Sequence, residues 1–401
     1  MTPSPRAQMF SSRFRWNLQS NPLNDLLETK RLSGVTILDL TESNPTAVGL
    51  HYPVAEILPA LAQPAALRYE PHPRGLLVAR QAVVDYYHQR GDVVDVKQVH
   101  LTTGTSEAYA FLFKLLTDHG DNLLVPQPSY PLFEFLAGLE GAELRPYQLD
   151  YQTDEGWAID LDSVSAAINE QTRAIILVHP NNPTGSYVKR TELKSLASLC
   201  KKHNLALIFD EVFFDYRLRG DTAFGGVAVA DVLTFVVSGI SKILGLPQMK
   251  LGWMVVNGPQ GVRRSAQELL DLVADTYLSV STPIQHAAPH WVRLQPRLRQ
   301  QIHERVAGNL KWLQTQLRDR PAVRSLNVEG GWYAIIELPK IDSEEQLVLR
   351  LLEEENVLIH PGFFFDFPRE GFLVMSLLPA ADDFQEGLRR LLKLSLHPSK
   401  D

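Results

Sequence analysis

Short apolar runs alternate with longer amphipathic segments through the centre of the chain. Five runs rich in Val, Ile and Leu predict buried strands, at 122–128, 174–180, 205–211, 233–239 and 252–256. Helical patterns lie between them, including 106–116 and 191–203. This repetition of strand, helix and strand predicts an α/β fold, with a mostly parallel sheet flanked by helices in a large domain.

The C-terminal part of the chain has a different pattern. It predicts a long amphipathic helix at 295–317, strands at 330–338, 357–362 and 372–378, and a helix at 344–355. This order is typical of a smaller α+β domain. We expect residues 1–50 to form an N-terminal arm and part of the small domain, 51–290 the large domain, and 291–401 the small C-terminal domain.

Composition excludes several classes of partner. The 401 residues are 45% hydrophobic and 21% charged, with a formal net charge of −7 and no long basic block, so nucleic acid is not expected. No apolar run approaches a membrane span, and the N-terminus lacks the apolar segment of a signal peptide. We therefore expect a cytoplasmic protein without a membrane partner.

Metal and disulfide chemistry also lack support in the sequence. The single cysteine, Cys200, excludes an intrachain disulfide and any site with several cysteine ligands. None of the twelve histidines forms a close helical pair with a carboxylate partner. We expect no metal site.

Polar residues stand where the predicted strands end and helices begin, which is where ligands of open α/β sheets bind. Thr105 and Ser106 open a helix after a glycine, so their amides could bind an anion, or their side chains could simply cap the helix. Tyr130 lies between two prolines and could stack on a flat ring or pack in a loop. Alone, each is better explained by structure than by function.

Three further positions point more strongly to chemistry. Asn182 lies in the turn HPNNPTG, directly after a strand. Asp210 closes an apolar strand, where a carboxylate is costly unless it meets a cation or caps a helix. Lys242 ends the apolar stretch VLTFVVSGISK; shielded from water it would be a nucleophile, and otherwise it would reach the surface.

Together these features describe one site. It has a helix N-terminus that can bind an anion, an aromatic ring that can stack, a hydrogen-bond donor, a buried anion and a reactive amine. That set fits pyridoxal 5′-phosphate, which needs a lysine for its Schiff base and an acidic partner for its ring nitrogen.

The motifs NNPTG, DEV, SK with a basic residue eight positions later, and KLGW occur in this order. With them the chain resembles the fold-type I pyridoxal-phosphate enzymes of the class I/II aminotransferase family over residues 35–380. SNPT, YEPHPRGL and TPIQHA make it most similar to the bacterial alanine-type branch. The resemblance implies transfer of an amino group from an amino donor to a 2-oxo acid or another carbonyl acceptor, with small amino and keto compounds as substrates.

The resemblance also assigns roles to residues. It implies that Lys242 forms the Schiff base and shuttles a proton, that Asp210 keeps the pyridine nitrogen protonated, and that Asn182 donates to the phenolic oxygen. The other cofactor contacts implied are Tyr130 on the ring, Thr105, Ser106 and Lys250 at the phosphate, and Tyr69 at the phosphate of a neighbouring subunit. A homodimer with shared active sites follows from the last of these.

Three positions depart from the family pattern around the cofactor. Lys250 stands where arginine is usual, which keeps a charge but loses the bidentate fork. Phe213 replaces a tyrosine that donates to the phenolic oxygen. Gly239 replaces a serine or threonine at the phosphate, and Ser238 or Ser241 could substitute for it.

A fourth departure affects the substrate. Val374 stands where the family has an arginine that binds the substrate carboxylate by paired hydrogen bonds. Ser43 replaces a common glycine beside Asn44 at the edge of the same pocket. Either another arginine substitutes, or the substrate lacks an ordinary α-carboxylate, or the chemistry differs. The candidate arginines are Arg369, Arg74, Arg13 and Arg15.

Two alternatives to amino transfer stay open at this point. The core residues are equally compatible with a β-elimination lyase or an α-decarboxylase, and Val374 adds weight to that alternative. A binding domain without turnover is the other, but the sequence before residue 35 has no room for a DNA-binding segment, and Lys242 and Asp210 are intact.

Overall fold

The computed structural model describes residues 9–11, 13, 14, 16, 20–220, 224–339 and 343–395. Its helices are α1 Pro22–Leu32, α2 Val54–Ile57, α3 Leu77–Gln89, α4 Thr105–Leu116, α5 Phe133–Glu140, α6 Leu161–Ala167, α7 Arg190–His203, α8 Ile240–Ile243, α9 Gln260–Tyr277, α10 Thr282–Val292, α11 Gln295–Leu317, α12 Glu344–Glu355 and α13 Ala381–Ser395. Its strands are β1 Leu38–Asp39, β2 Val99–Thr102, β3 Asn122–Gln127, β4 Glu143–Gln152, β5 Gly156–Ile159, β6 Thr172–Val178, β7 Ala206–Asp210, β8 Thr234–Gly239, β9 Gly252–Asn257, β10 Arg324–Ser325, β11 Tyr333–Glu337, β12 Val357–Leu358, β13 His360–Pro361 and β14 Phe372–Ser376.

The large sheet has eight strands in the order β2-β9-β8-β7-β6-β3-β4-β5. Its neighbours from β8 to β4 pair in parallel, whereas β9 and β5 run antiparallel to their neighbours. This mostly parallel sheet confirms the fold class expected from the alternating pattern. Because β6, β7 and β8 are parallel neighbours, the residues that follow them meet at one edge of the sheet.

Both faces of the large sheet are covered, which explains why its strands read as continuous apolar runs. One face packs on α4, α5 and α9, with Leu123, Ile176 and Phe235 among its buried side chains. The other packs on α3, α7 and α10, with Trp253 and Trp291 fully buried.

A second sheet has the order β10-β11-β14-β13, and all of its pairs are antiparallel. Side chains that alternate along its strands point to opposite faces and pack in two different cores. Ala334 and Met375 join the core beneath α11, α12 and α13, whereas Ile335 and Val374 join the apolar cluster of the large sheet. We call the surface that carries Tyr333, Ile335 and Val374 the inner face of the small sheet.

The C-terminal pattern is largely confirmed. The long helix predicted at 295–317 is α11. The strand predicted at 357–362 is instead two short strands in different sheets, because β12 pairs with β1 while β13 pairs with β14. None of the helices in the described ranges is long and apolar enough to cross a membrane.

Candidate active site

Lys242 lies in the short helix α8, just after β8 ends, rather than at the strand end itself. Its Nζ is 4.9 Å from the ring centroid of Trp332 and 5.4 Å from that of Phe213. Burial lowers the pKa of the Lys242 amine to about 8, while the nearby Asp210 carboxylate opposes this shift. The amine is therefore partly neutral close to neutral pH.

Asp210 ends β7 and is only 7% exposed. Burial raises the pKa of its carboxyl to about 6, against the opposing effects of the Val212 amide, the Tyr109 hydroxyl and Lys242. The Tyr109 hydroxyl donates to Oδ2 at 2.8 Å, and the Val212 amide donates to Oδ1 at 3.1 Å. The carboxylate is thus fixed in place, with the charge of Lys242 nearby.

The N-terminus of α4 is the candidate anion site. Thr105 and Ser106 are its first two residues, after Gly104. Nζ of Lys250 lies 3.7 Å from the place a β-carbon on Gly104 would occupy. The backbone of Lys250 has φ +51°, in the left-handed region that few side-chain-bearing residues adopt. A cation and free amides therefore face the same space.

Asn182 and Tyr130 lie in loops at the same edge of the large sheet. Asn182 is 7% exposed, and its Oδ1 has no hydrogen-bond partner among the described residues. Burial raises the pKa of Tyr130 to about 12, and Tyr333 and Asp210 add to this shift. Tyr130 therefore lies near both of those residues.

The two serines near the end of β8, Ser238 and Ser241, differ in burial. Ser238 is fully buried, with its hydroxyl 3.5 Å from the Glu211 carbonyl, and Ser241 is half-buried in α8. A β-carbon on Gly239 would come within 2.9 Å of the Leu251 carbonyl and 3.0 Å of the Gly252 α-carbon. The close approach of β9 thus explains why a glycine stands at 239.

An aromatic wall completes the pocket. Phe213 packs against Trp332 and Tyr333, with ring centroids 5.2 and 6.1 Å apart. Burial raises the pKa of Tyr333, whereas a hydrogen bond from Ser43 lowers it. Ser43 therefore reaches the site through Tyr333. The neighbouring Asn44 is exposed and accepts hydrogen bonds from Thr46.

Two of the arginines proposed as substitutes at Val374, Arg369 and Arg74, are engaged elsewhere. Val374 is fully buried on the inner face of the small sheet. Arg369 forms an ion pair with Glu337 and stacks on Phe372. Glu337 is the last residue of β11, at the far end of the strand from Tyr333. Arg74 makes two 2.6 Å hydrogen bonds to Asp271. Arg13 is exposed, and Arg15 lies outside the described residues.

Tyr69 is not brought to this site within one chain. Its side chain is 76% exposed, and it lines a small surface pocket with Glu70, His72 and Gln285. The adjacent Leu67 is 92% exposed.

Four contributors to the site were missed from sequence: Tyr109, Tyr216, Trp332 and Tyr333. Tyr109 bonds Asp210, the hydroxyl of Tyr216 donates to the carbonyl of Lys242 at 2.6 Å, and Trp332 packs on the Lys242 amine. The segment GGWY gave the only available signal, since glycines before two aromatics suit a close backbone approach.

The residues present fit pyridoxal 5′-phosphate. A partly neutral lysine, a buried carboxylate, a buried side-chain amide that can donate a hydrogen bond and a cation beside a helix N-terminus are groups that suit this cofactor. Within the part of the chain that the structure describes, no group of three or more His, Cys, Asp or Glu is placed to hold a metal ion.

Comparison with known proteins agrees with this geometry. The family model described as aminotransferase class I and II matches residues 35–391. An alanine aminotransferase of Mycobacterium bovis is 32% identical over 375 residues, covering 89% of this chain and 85% of that one. A glutamate-pyruvate aminotransferase of Haemophilus influenzae is 29% identical over 377 residues, covering 90% and 91%.

Solved structures give the same fold. An aminotransferase from Escherichia coli has a TM-score of 0.84 at 26% identity and covers 98% of this chain and 99% of its own. The alanine aminotransferase of Pyrococcus furiosus has a TM-score of 0.86 at 22% identity, covering 97% and 100%. With the match of the family model, these findings show that the chain belongs to the class I and II aminotransferases of fold type I, in the alanine-type branch, and is a transferase that uses pyridoxal 5′-phosphate to move amino groups.

Proposed function

We propose that Lys242, Asp210 and Asn182 form the catalytic centre of an aminotransferase acting on a small amino acid and a 2-oxo acid. The observation that carries this proposal is the burial of Lys242 beside Asp210 within an aromatic pocket. When bound, pyridoxal 5′-phosphate supplies an electron sink for the carbon that carries the amino group.

Each of these three residues has a definite task in this proposal. Asp210 would keep the ring nitrogen of the cofactor protonated, and its buried position would strengthen that charge pairing. Lys242 would hold the cofactor through Nζ and would serve as the base that accepts and returns a proton at the substrate Cα. Asn182 would donate to the phenolic oxygen, and Tyr130 would cover one face of the ring.

The N-terminus of α4 would hold the phosphate of the cofactor. The amides of Thr105 and Ser106 would donate to it, and Lys250 would supply a point charge instead of an arginine fork. Ser241 is the second residue of α8, directly before Lys242, and is better placed than the buried Ser238 to add a hydroxyl. Ser43 and Asn44 border the substrate side of the pocket.

Transfer is favoured over elimination and decarboxylation because the relatives are named as alanine and glutamate-pyruvate aminotransferases. The test is to load the protein with cofactor and add L-alanine or L-glutamate without an acceptor. Transfer predicts conversion of the cofactor to its pyridoxamine form, followed by absorbance. L-Serine, whose β-hydroxyl can leave as water, tests the alternative. Release of ammonia and pyruvate from L-serine without that conversion would show elimination instead.

The two lysines of the stretch SGISKILGLPQMKLGW provide a matched pair of variants. Lys242→Ala should abolish covalent attachment of the cofactor, measured by mass spectrometry after borohydride reduction. Lys250→Ala should keep the attachment and weaken cofactor affinity about tenfold, the value of one charge-assisted hydrogen bond. A lysine-linked cofactor in the Lys242→Ala protein contradicts the assignment.

We also propose a homodimer in which Tyr69 reaches the phosphate of the neighbouring subunit. The exposure of Tyr69 and Leu67, together with that of Leu269 and Leu272 on α9, leaves apolar surface for a partner. Chains with Lys242→Ala or Tyr69→Ala should each be weakly active alone. Unfolding and refolding them together should restore activity, because mixed dimers contain one intact site. Absence of recovery contradicts shared sites.

We propose the division of the chain into domains that the sequence predicts, and a cytoplasmic location. Residues 51–290 would form the large cofactor-binding domain, while residues 1–50 and 291–401 would contribute the arm and the small domain. Division near residue 290 agrees with the start of α11, whose buried residues lie mainly in the core of the small sheet. The ordinary composition and the single, buried Cys200 favour the cytoplasm.

A further inference from the structure

His360 is the polar neighbour of Val374 on the inner face of the small sheet. Val374 lies in β14. It pairs with Ile335 of β11 on one side and with His360 of β13 on the other. In an antiparallel ladder, directly paired residues project their side chains from the same face of the sheet. His360 therefore shares the face on which the family has its carboxylate-binding arginine.

The imidazole of His360 packs on aromatic rings but leaves one polar atom without a hydrogen bond. Its Nδ1 is buried and has no hydrogen-bond partner among them. Its ring contacts are with Phe364 and Phe365, each with a centroid distance of 5.8 Å. A buried nitrogen without a partner costs free energy, so a ligand that bonds to it recovers that cost.

The segment after His360 packs beside the cofactor side of the pocket. The turn Gly362–Phe365 follows β13, and the amide of Ser129 donates to the Phe365 carbonyl at 3.0 Å. Ser129 precedes Tyr130, which lies near Asp210 and Tyr333. His360 and Tyr130 are thus on segments that touch, with the inner face of the small sheet on one side and the cofactor residues on the other.

We propose that His360 makes the hydrogen bond to the substrate carboxylate that Val374 cannot make. The inference rests on the proposed function, because it assigns a residue to the substrate side of that same site. An imidazole offers one hydrogen bond in place of the two of an arginine fork. The protein should therefore recognise a carboxylate with a smaller preference than a bidentate contact gives.

Two probes isolate this contact from catalysis. Aminooxyacetate and O-methylhydroxylamine carry the same alkoxyamine nucleophile, but only the first has a carboxylate. Each captures the cofactor aldehyde as an oxime and frees the Lys242 amine, so the ratio of their second-order rates reports carboxylate recognition. The measurement is made on the cofactor-loaded protein and requires no amino transfer, so its outcome is separate from that of the proposed function.

The expected result is a ratio in favour of aminooxyacetate that falls about five- to tenfold in His360→Val, the effect of one lost hydrogen bond. His360→Gln, which keeps a donor, should retain most of the ratio. His100→Gln is the matched control, since Nδ1 of His100 is also buried without a partner but lies in β2, at the edge of the large sheet.

The same variants give a second measurement. In the half-reaction with L-alanine, His360→Val should raise the half-saturating concentration while leaving the limiting rate within about twofold, because only binding of the carboxylate is lost. An unchanged ratio in His360→Val, or a wild-type ratio near one, overturns the proposal. So does a fall in the ratio for Arg13→Ala or Arg15→Ala without one for His360→Val.

Discussion

The Tyr109 hydroxyl donates a 2.8 Å hydrogen bond to Oδ2 of Asp210, and both side chains are buried. Tyr109 lies one helical turn after the first residue of α4, whose N-terminus is the candidate anion site. One helix therefore contributes both to the phosphate end and to the ring-nitrogen end of the candidate site. The bond stabilises the charged form of Asp210, which is the form that pairs with a protonated ring nitrogen.

Asp210 should make the cofactor-free protein less stable as pH rises. Burial raises its folded-state pKa to about 6 from an ordinary 3.8, so the folded chain binds more protons than the unfolded chain between these values. The free energy of unfolding should fall by about 2 kcal/mol from pH 4 to pH 6 on account of this group. Urea unfolding of the wild type and of Asp210→Asn across this range measures the difference.

Tyr109→Phe should enlarge that pH effect, since it removes a hydrogen bond that favours the carboxylate. We expect the variant to be destabilised by about 1–2 kcal/mol at pH 7 and by less at pH 4. Equal destabilisation at both pH values would show that Tyr109 acts through packing alone.

Phe213→Tyr should restore the donor that the family usually has. Phe213 lies three residues after Asp210, with its ring 5.4 Å from Nζ of Lys242. A hydroxyl there would stabilise the phenolate oxygen of the cofactor. The pH at which the visible absorbance of the loaded protein is half changed should therefore fall by about one pH unit. Phe214→Tyr is the control, because the Phe214 ring stacks on Arg90 instead. A midpoint that moves equally in both variants contradicts the prediction.

Gly239→Ser should destabilise the protein despite matching the family pattern. The new β-carbon would meet the Leu251 carbonyl and the Gly252 α-carbon, both of which are backbone atoms that cannot rotate away. We expect a loss of about 1–3 kcal/mol in the free energy of unfolding. Ser241→Ala should cost less than 1 kcal/mol and instead lower cofactor affinity. A Gly239→Ser protein of unchanged stability would refute the steric explanation.

A buried ion pair supports the segment that carries Asp210. Arg90 Nη1 lies 3.0 Å from Glu211 Oε2, and the two side chains are 9% and 0% exposed. Arg90→Met should cost about 3–5 kcal/mol, because it leaves the Glu211 carboxyl buried without its cation. Adding Glu211→Gln should recover part of this loss in urea unfolding. A double variant that is as unstable as the sum of the single ones would show that the pair does not couple.

The fold and the cofactor side of the site could be predicted because their signals are local. Asp210 and Asn182 each come after an apolar run, and Lys242 comes after the next strand, so parallel pairing brings them to one edge of the sheet. Tyr109 could not be assigned in this way, since its bond to Asp210 joins residues 101 positions apart.

The substrate side was harder to predict for a similar reason. The absence of an arginine at 374 is visible in the sequence, but the pairing of Val374 with His360 depends on the register of β13 and β14. Likewise, the glycine at 239 departs from the family pattern in the sequence and is explained only by the approach of β9. Contacts set by register and by strand spacing carry no sequence signal of their own.

The two-residue alternation along β14 has a consequence for how such a protein can change. Leu373 and Met375 lie in the core beneath α11, whereas Val374 faces the other way, among the groups that border the pocket. We therefore expect substitutions at 374 to act on the face toward the pocket, and substitutions at 373 and 375 to act on the core of the small domain. A lineage could acquire a new substrate at 374 while the neighbouring residues keep the domain intact.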